Sequence, residues 1–246
     1  MDRLIYVSMT GAKQAMNRQA TVSNNLANVS TPGFRADLDA FRAVPVLGGP
    51  GEPTRAFVVA QTTGQDFTPG VEQFTGRDLD VAVKGDGWFT VQTSTGEAYT
   101  RNGGFEIDSA GLLKTRNGLT VLGTNGPITV PDNTNVSFGS DGTITGVPRD
   151  NPANTVDLGQ LKLVNPPASL MAKGNDGLFR QRDGVTPQAD PNVQVSGSSL
   201  ETSNVNAVSE LVNMISSQRH YDMQVQMIQN ADQNARSSAT LIQFSS

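Results

Sequence analysis

The chain has no cysteine, one histidine and one tryptophan in 246 residues. The first absence removes disulfide scaffolds, thiolate nucleophiles and cysteine zinc sites together. It leaves the redox compartment open, because a cysteine-free chain is indifferent to it. The second removes most triad and histidine-metal chemistry. His220 stands alone in a helical pattern between Arg219 and Tyr221, where a histidine is ordinarily a surface or interface residue. Aromatic residues make up 6% and hydrophobic residues 36% of the chain, the low end for a globular protein. A net charge of -5 supplies no basic field, which argues against nucleic acid and anionic lipid surfaces as partners. No window approaches eighteen uninterrupted apolar residues, so no membrane insertion is expected. The opening MDRLIYVSMTGAKQAMNRQ has neither the apolar core nor the small-residue cleavage site of a Sec signal peptide, so export with a cleaved leader is not expected.

What the chain does have is a strongly uneven distribution of helix breakers. All thirteen prolines lie between Pro32 and Pro191, and twenty-three of the twenty-five glycines lie between Gly33 and Gly184. Since glycine and proline punctuate local structure, two breaker-poor ends flank a turn-rich middle. The expected fold class is α+β: long N- and C-terminal helices that pair with each other around a central antiparallel β domain. The expected segments are an N-terminal helix over 1–33, an extended arm or hairpin over 34–78, the β domain over 79–195 and a C-terminal helix over 196–246.

Apolar or small residues recur three or four apart at the start, from Leu4 and Ile5 through Met9, Ala12, Ala15 and Met16 to Leu26, and again at the end from Val205 to Ile242. The C-terminal seam is thin, with Val208, Leu211 and Ile215 as its expected members and Gln218, Gln224, Gln226 and Gln229 between the later apolar positions. Rods of roughly 25 and 38 residues, at about 1.5 Å per residue, are too long to lie on a small domain, so the two ends are expected to pair. Fixing each residue costs roughly 1 to 2 kcal/mol and few large side chains offset it, so the pair should be marginal alone and order on assembly. The middle alternates as strands do, for example in Leu79, Val81 and Val83 before the Asp86-Gly87 turn, and carries further Asn-Gly and Asp-Gly hairpin signals at 102–103, 117–118, 125–126, 141–142, 176–177 and 183–184. The VLGGPGEP stretch, Val46 to Pro53, reads as part of the arm.

Candidate catalytic chemistry is sparse. Asp78 with Asp80 and Asp37 with Asp39 stand two apart, which on a strand places both carboxylates on one face, and a solvated strand face accounts for them. Ser140 to Gly146 has the outline of a calcium loop without its alternating acids or terminal Glu, so it reads as a hairpin turn. No catalytic residue, metal site or cofactor is assigned.

The informative stretch is Ser23 to Phe34, SNNLANVSTPGF. Asparagine is a poor helix-interior residue because its amide competes for the backbone. Three of them, Asn24, Asn25 and Asn28, at the end of a helical run point to contacts made by the amides, either with a neighbouring chain or as caps where Thr31, Pro32 and Gly33 end the helix, with Leu26 and Phe34 as apolar anchors. This motif, together with LETSNVNAVSELVNMISSQRHYDMQVQMI near the C-terminus, resembles the flagellar rod and hook protein family, whose members carry an NNLAN-x-x-T-x-GF signature and a C-terminal SNV helix with an R-x-Y/F step. GDGWFTVQT, YTRNGGFEIDSAGLLKTRNGLTVLG and PITVP resemble the β domain of the same family. The opening MDRLIYVSMTGA and the run TPGFRADLDAFRAVPV resemble its proximal-rod members. Arg35-Ala36-Asp37 departs from the K-R that the distal-rod member carries after GF, which makes the distal member the alternative. The resemblance implies a structural subunit, not an enzyme, that associates with itself and with other proximal and distal rod proteins. It further implies passage through the flagellar type III export apparatus and residence in the basal-body rod that crosses the periplasm. It also implies that Asn204 and Val205 mark the entry to the C-terminal helix and that Arg219 with Tyr221 forms an inter-subunit contact. Two other classes remain open on the residues alone: a secreted β-domain binding module on a helical stalk, and a hydrolase using paired carboxylates.

Overall fold

The structure, a computed structural model, describes residues 2–45, 56–150 and 153–243. The chain folds into two compact units: one comprises 1–28, 36–66 and 205–246, the other 29–35 and 67–204. The fold is α+β, with an N-terminal and a C-terminal helix packed on each other and the strands between them in sequence. The Val46 to Pro53 turn expected within the arm lies outside the described residues.

In the first unit, helix α1 (Asp2–Ala27) and helix α2 (Ala207–Gln243) accompany a hairpin of strands β1 (Asp37–Pro45) and β2 (Ala56–Gln65). The hairpin is antiparallel, with Asp37 opposite Gln65 and Pro45 opposite Ala56. α1 stops at Ala27 because the Asn28 side-chain Nδ2 donates to the Asn24 carbonyl at 2.9 Å, closing the last turn four residues before Pro32 forbids another. α2 begins at Ala207, well after residue 196, since 194–201 lie in short strands: Gln194–Gly197 pairs with Val81–Lys84, and Ser199–Glu201 pairs with Glu72–Phe74. The Asn206 side-chain oxygen accepts from the Ser209 N–H at 3.1 Å and caps the helix start.

In the second unit every pairing among the described strands is antiparallel. Its largest sheet runs in the order Met171–Lys173, Phe179–Gln181, Gly96–Thr100, Trp88–Thr93, Thr120–Gly123, Leu113–Thr115, Phe105–Ile107. The alternation in the sequence becomes the inward face: Val81, Phe89, Val91, Phe105, Leu113, Val121 and Ile144 are all fully buried in one cluster. Phe89 and Phe105 meet edge to face at 5.2 Å. The Asp141-Gly142 turn joins Thr134–Phe138 to Thr143–Pro148, and both Asp141 oxygens accept from Thr143, which is a hairpin turn holding itself.

Residues 29–35 enter this β unit as a clasped strap. The Gly33 N–H donates to the Glu201 carbonyl at 2.8 Å, and a side chain at Gly33, whose φ is +68°, would collide with the Arg101–Asn102 backbone. Arg35 is buried and pairs with Glu201 at 2.6 Å, while Arg101, also buried, reaches the other oxygen of the same carboxylate at 3.0 Å. The Gly70 N–H donates to Glu201 as well, at 2.7 Å. Arg101 is held further by the Val83 and Gly85 carbonyls and lies 5.5 Å from the Trp88 ring centre. Burial pushes the Arg101 guanidinium below its ordinary pKa, and the Glu201 charge opposes that shift.

Two measurements check this architecture. Phe105→Ala deletes a fully buried ring and should cost about 3–5 kcal/mol in urea unfolding followed by near-ultraviolet circular dichroism. Glu201→Gln leaves two buried guanidinium groups without their shared counter-charge and should cost a comparable 3–5 kcal/mol, whereas a loss below about 1 kcal/mol would mean the ion pairs are not what fastens the strap.

Candidate assembly surfaces

The three asparagines do three different things. Asn25 is buried; its Nδ2 donates to the Asp37 carbonyl at 3.0 Å and its Oδ1 accepts from the Asp37 N–H at 2.9 Å. This two-point amide lock ties the last turn of α1 to the first residue of β1, beside a Thr21 hydroxyl that donates to Asp39 at 2.9 Å. Asn28 caps the helix, and Asn24 is exposed on the surface. Leu26, Thr31, Pro32 and Phe34 are half-buried. Phe34 lies beneath the Lys173 ammonium, 3.9 Å from the ring centre, and the same ammonium donates to the Arg35 carbonyl at 3.2 Å. Asn204 donates from Nδ2 to the Thr68 carbonyl at 3.0 Å, and its N–H donates to the Phe34 carbonyl at 3.3 Å. Val205 is buried.

The seam between α1 and α2 is not where the apolar count placed it. Val208, Leu211 and Ile215 were expected to face α1, but they lie 70%, 48% and 56% exposed. The buried and half-buried positions of α2 include Glu210, Met214, Ser217, Tyr221, Gln224, Ile228, Ala231 and Ala235, spaced alternately four and three apart, with Ala207, Asn213, Ser216 and Val225 half-buried beside them. Small residues win this face because they let the helix axes approach: a side chain at Gly11 of α1 would come within 2.9 Å of Gln224. On α1 the buried positions are Ser8, Ala12, Ala15, Val22 and Asn25. Three buried oxygens around this seam, on Gln14, Glu210 and Ser217, have no hydrogen-bond partner among the described residues. Each such group costs on the order of 1–3 kcal/mol, so the pair is held loosely. Tyr221 is half-buried at the seam and Arg219 is exposed on the far face, since two residues turn a helix by about 200°.

The face opposite the seam is apolar. Val208, Leu211, Val212, Ile215, Met223 and Met227 are all exposed, and α1 exposes Tyr6, Met9 and Met16. On α2 this face has relief: Val212, Ile215, Ser216, Arg219, His220 and Met223 line a notch of about 280 Å³.

The acidic pairs resolve as structure. Asp78 is exposed, but Asp80 is not part of a solvated face: it is buried, its Oδ2 accepts from Thr75 at 2.9 Å, and Arg77 and Arg116 approach its Oδ1 at 3.3 and 3.6 Å. The Asp37 backbone and Asp39 carboxylate are engaged by α1 as described. Among the described residues no cluster of three or more His, Asp or Glu side chains is arranged to hold a metal ion, and no helix is long and apolar enough to cross a membrane. The residues that sequence reasoning missed are Arg35, Arg101 and Glu201. Their only sequence trace is a charge inside an otherwise turn-forming or alternating stretch, such as Val195, Gly197, Ser199 and Glu201.

Comparison with known proteins finds family matches at both ends and in the middle of the chain. Residues 5–35 match the flagella basal body rod protein family, 82–146 the D1 domain of the flagellar hook proteins FlgE/F/G, and 196–241 the C-terminal segment of the flagellar basal body rod FlgEFG proteins. The chain is 46% identical over 253 residues to the flagellar basal-body rod protein FlgF of Escherichia coli K12, covering all of both chains. It is 32% identical over 244 residues to FlgF of Caulobacter vibrioides, covering 97% of each. Against FlgG of Bacillus subtilis it is 31% identical over 256 residues, covering 95% of this chain and 96% of that one. Matched from end to end, the chain belongs to the flagellar basal-body rod proteins, as a structural subunit of the flagellar rod that resembles FlgF more than FlgG.

Proposed function

We propose that this chain polymerises with itself and with neighbouring proximal and distal rod proteins into the hollow shaft that crosses the periplasm and carries motor torque to the hook. The observation that carries this reading is the inverted polarity of the helix pair. Its inner seam is largely small and polar, with Met214, Tyr221, Val225 and Ile228 as the half-buried large residues of α2, while Val208, Leu211, Val212, Ile215, Met223 and Met227 face outward. A monomer that exposes Val208, Val212, Ile215 and Met223 along one helix has an interface without its partner. Asn24, Leu26, Val208, Leu211, Ile215 and Arg219 are the subunit contacts. Asn25, Asn28, Thr31, Pro32, Gly33, Phe34, Asn204, Val205 and Tyr221 set the geometry from which those contacts are presented. The role is mechanical and not catalytic.

The loosely held pair also suits passage through the flagellar type III export apparatus, because a segment with unsatisfied buried polar groups unfolds at low cost and orders when the outer face is covered. Limited proteolysis tests that coupling. Purified chain should lose both ends and keep a core near 67–204, and the same ends should be protected in isolated basal bodies; equal protection in both states would remove the coupled-ordering step. Ile215→Asp places a charge on the exposed face without touching the seam. It should leave the far-ultraviolet circular dichroism of the monomer unchanged and abolish swimming, with the chain exported but absent from basal bodies; normal motility would overturn the proposed face. Asn25→Ala removes both bonds to Asp37 and should lower incorporation into basal bodies at least tenfold, a change worth about 1.4 kcal/mol.

A further inference from the structure

We infer that Asn125 is a site of spontaneous covalent modification, the one among three Asn-Gly pairs at which the folded chain deamidates most readily to aspartate and isoaspartate. Asn102-Gly103, Asn117-Gly118 and Asn125-Gly126 carry the same reactive dipeptide. Asparagine is thermally labile, and a following glycine puts no side chain in the way of the attack. The Gly126 amide nitrogen gives up its proton to water or hydroxide and bonds to Asn125 Cγ. The Cγ–Nδ2 bond breaks, the side-chain nitrogen leaves as ammonia with a proton returned from water, and a succinimide ring remains. One water molecule then opens the ring at either carbonyl, giving aspartate or a backbone routed through the side chain.

The fold decides which pair can close that ring, because the asparagine side chain must swing back and the glycine backbone must have room to move. Asn102 has neither freedom. Its Oδ1 accepts from the Gly104 N–H at 3.1 Å, and its own N–H donates to Thr100 Oγ1 at 3.0 Å. Gly103 is buried, its carbonyl accepts from the Val81 N–H at 3.0 Å, and an added Cβ there would collide with the Val81 carbonyl oxygen. Opening this turn means detaching it from the strand Val81–Lys84, whose Val81 and Val83 belong to the buried core.

Asn117 and Asn125 are both exposed, and neither side chain makes a hydrogen bond among the described residues. They differ in what holds the turn. Around Asn117, the Gly118 N–H donates to the Thr115 carbonyl at 2.8 Å, the Thr115 N–H donates to the Leu119 carbonyl at 2.8 Å, and the Leu119 N–H donates to Thr115 Oγ1 at 3.1 Å. Asn125 sits in a two-residue turn between Thr120–Gly123 and the very short Gly126–Pro127, which pairs only at Gly126 with Gly123 and at Pro127 with Leu122. Proline has no N–H to give that arm. The Thr124 N–H bond to the Gln160 carbonyl, at 2.9 Å, precedes the reacting pair. Nothing lies within 4 Å of where a Gly126 Cβ would stand, so the ring has space to form. Each event adds a negative charge to a chain already at -5, and isoaspartate inserts a methylene into a two-residue turn, breaking the register of Gly123 with Gly126. The reaction needs no partner chain and is independent of the assembly proposed above.

Purified chain is incubated in mildly alkaline buffer, folded and in parallel unfolded in urea. Peptides are then followed by mass spectrometry with electron-transfer fragmentation, which separates isoaspartate from aspartate. In urea all three asparagines should convert at similar rates. In the folded chain Asn125 should convert first, Asn117 more slowly, and Asn102 at least about tenfold more slowly than Asn125, since a core-anchored turn opens more rarely than a surface hairpin. Asn125→Gln, whose longer side chain disfavours the ring, should remove the folded-state signal at 125 and leave Asn117 and Asn102 unchanged. Conversion of Asn102 as fast as Asn125 overturns the shielding, and conversion of Asn117 ahead of Asn125 overturns the choice of site. A folded chain inert at 125 while the unfolded chain reacts there overturns the modification itself.

Discussion

One carboxylate fastens the β unit where the chain leaves it. Glu201 pairs with Arg35 and Arg101, accepts from Gly70 through its side chain and from Gly33 through its carbonyl. The chain passes between the units at 28–29, 35–36, 66–67 and 204–205, and each crossing lies within a few residues of Glu201 or of a group bound to it: Gly33, Arg35 or Gly70. Two guanidinium groups on one buried carboxylate would be a poor source of net stability if burial were the aim, since well-packed apolar residues do as well. What an ion cluster supplies is placement: a strap, a strand end and a sheet residue more than sixty positions apart in sequence converge on one carboxylate, Arg101 through a charge-assisted hydrogen bond and Arg35 through an ion contact. The cost of that choice appears in the Arg101 guanidinium, which burial pushes against its charged form.

The helical unit follows the opposite logic. Its seam is built mostly of Ser8, Ala12, Ala15, Ser217, Gln224 and Ala231, with Val22, Met214, Tyr221 and Ile228 as its larger members, so it buries modest apolar area. Most of the large apolar side chains stay outside. A pair built this way has a small free-energy difference between folded and open forms, and anything that covers the outer face shifts the balance by its own binding energy. The amide lock between Asn25 and Asp37 limits the loss, because it ties the end of α1 to the β1–β2 hairpin, so that α1 is supported on two sides while α2 is supported on one.

Much of this was legible before any coordinates. The glycine and proline distribution separates helical ends from a β middle because those residues act locally, and local preference is what a single sequence reports best. The alternation around Val81, Phe89 and Val91 gives the buried face of the sheet for the same reason. The Asn-rich motif announced side-chain work but not its direction: nothing local distinguishes Asn25, which turns inward to Asp37, from Asn24, which faces solvent. The seam was misplaced because apolar residues were taken to face the partner helix within the chain. The period was right and the face was wrong, since apolar spacing marks a stripe but does not say whether that stripe faces α1 or the outside. Residues 194–201 alternate at Val195, Gly197, Ser199 and Glu201, a strand signal that the nearby helical run obscured. The Arg35 to Glu201 pair was beyond reach, because a charge that becomes buried by folding looks in sequence like any surface charge.

Placing the apolar stripes outside also decides what kind of assembly the chain can enter. If the large residues of α1 and α2 faced each other, the monomer would be self-sufficient and its surface polar. With them turned outward, the free chain leaves apolar stripes uncovered on both helices, and the surface it presents is completed only by what packs against it.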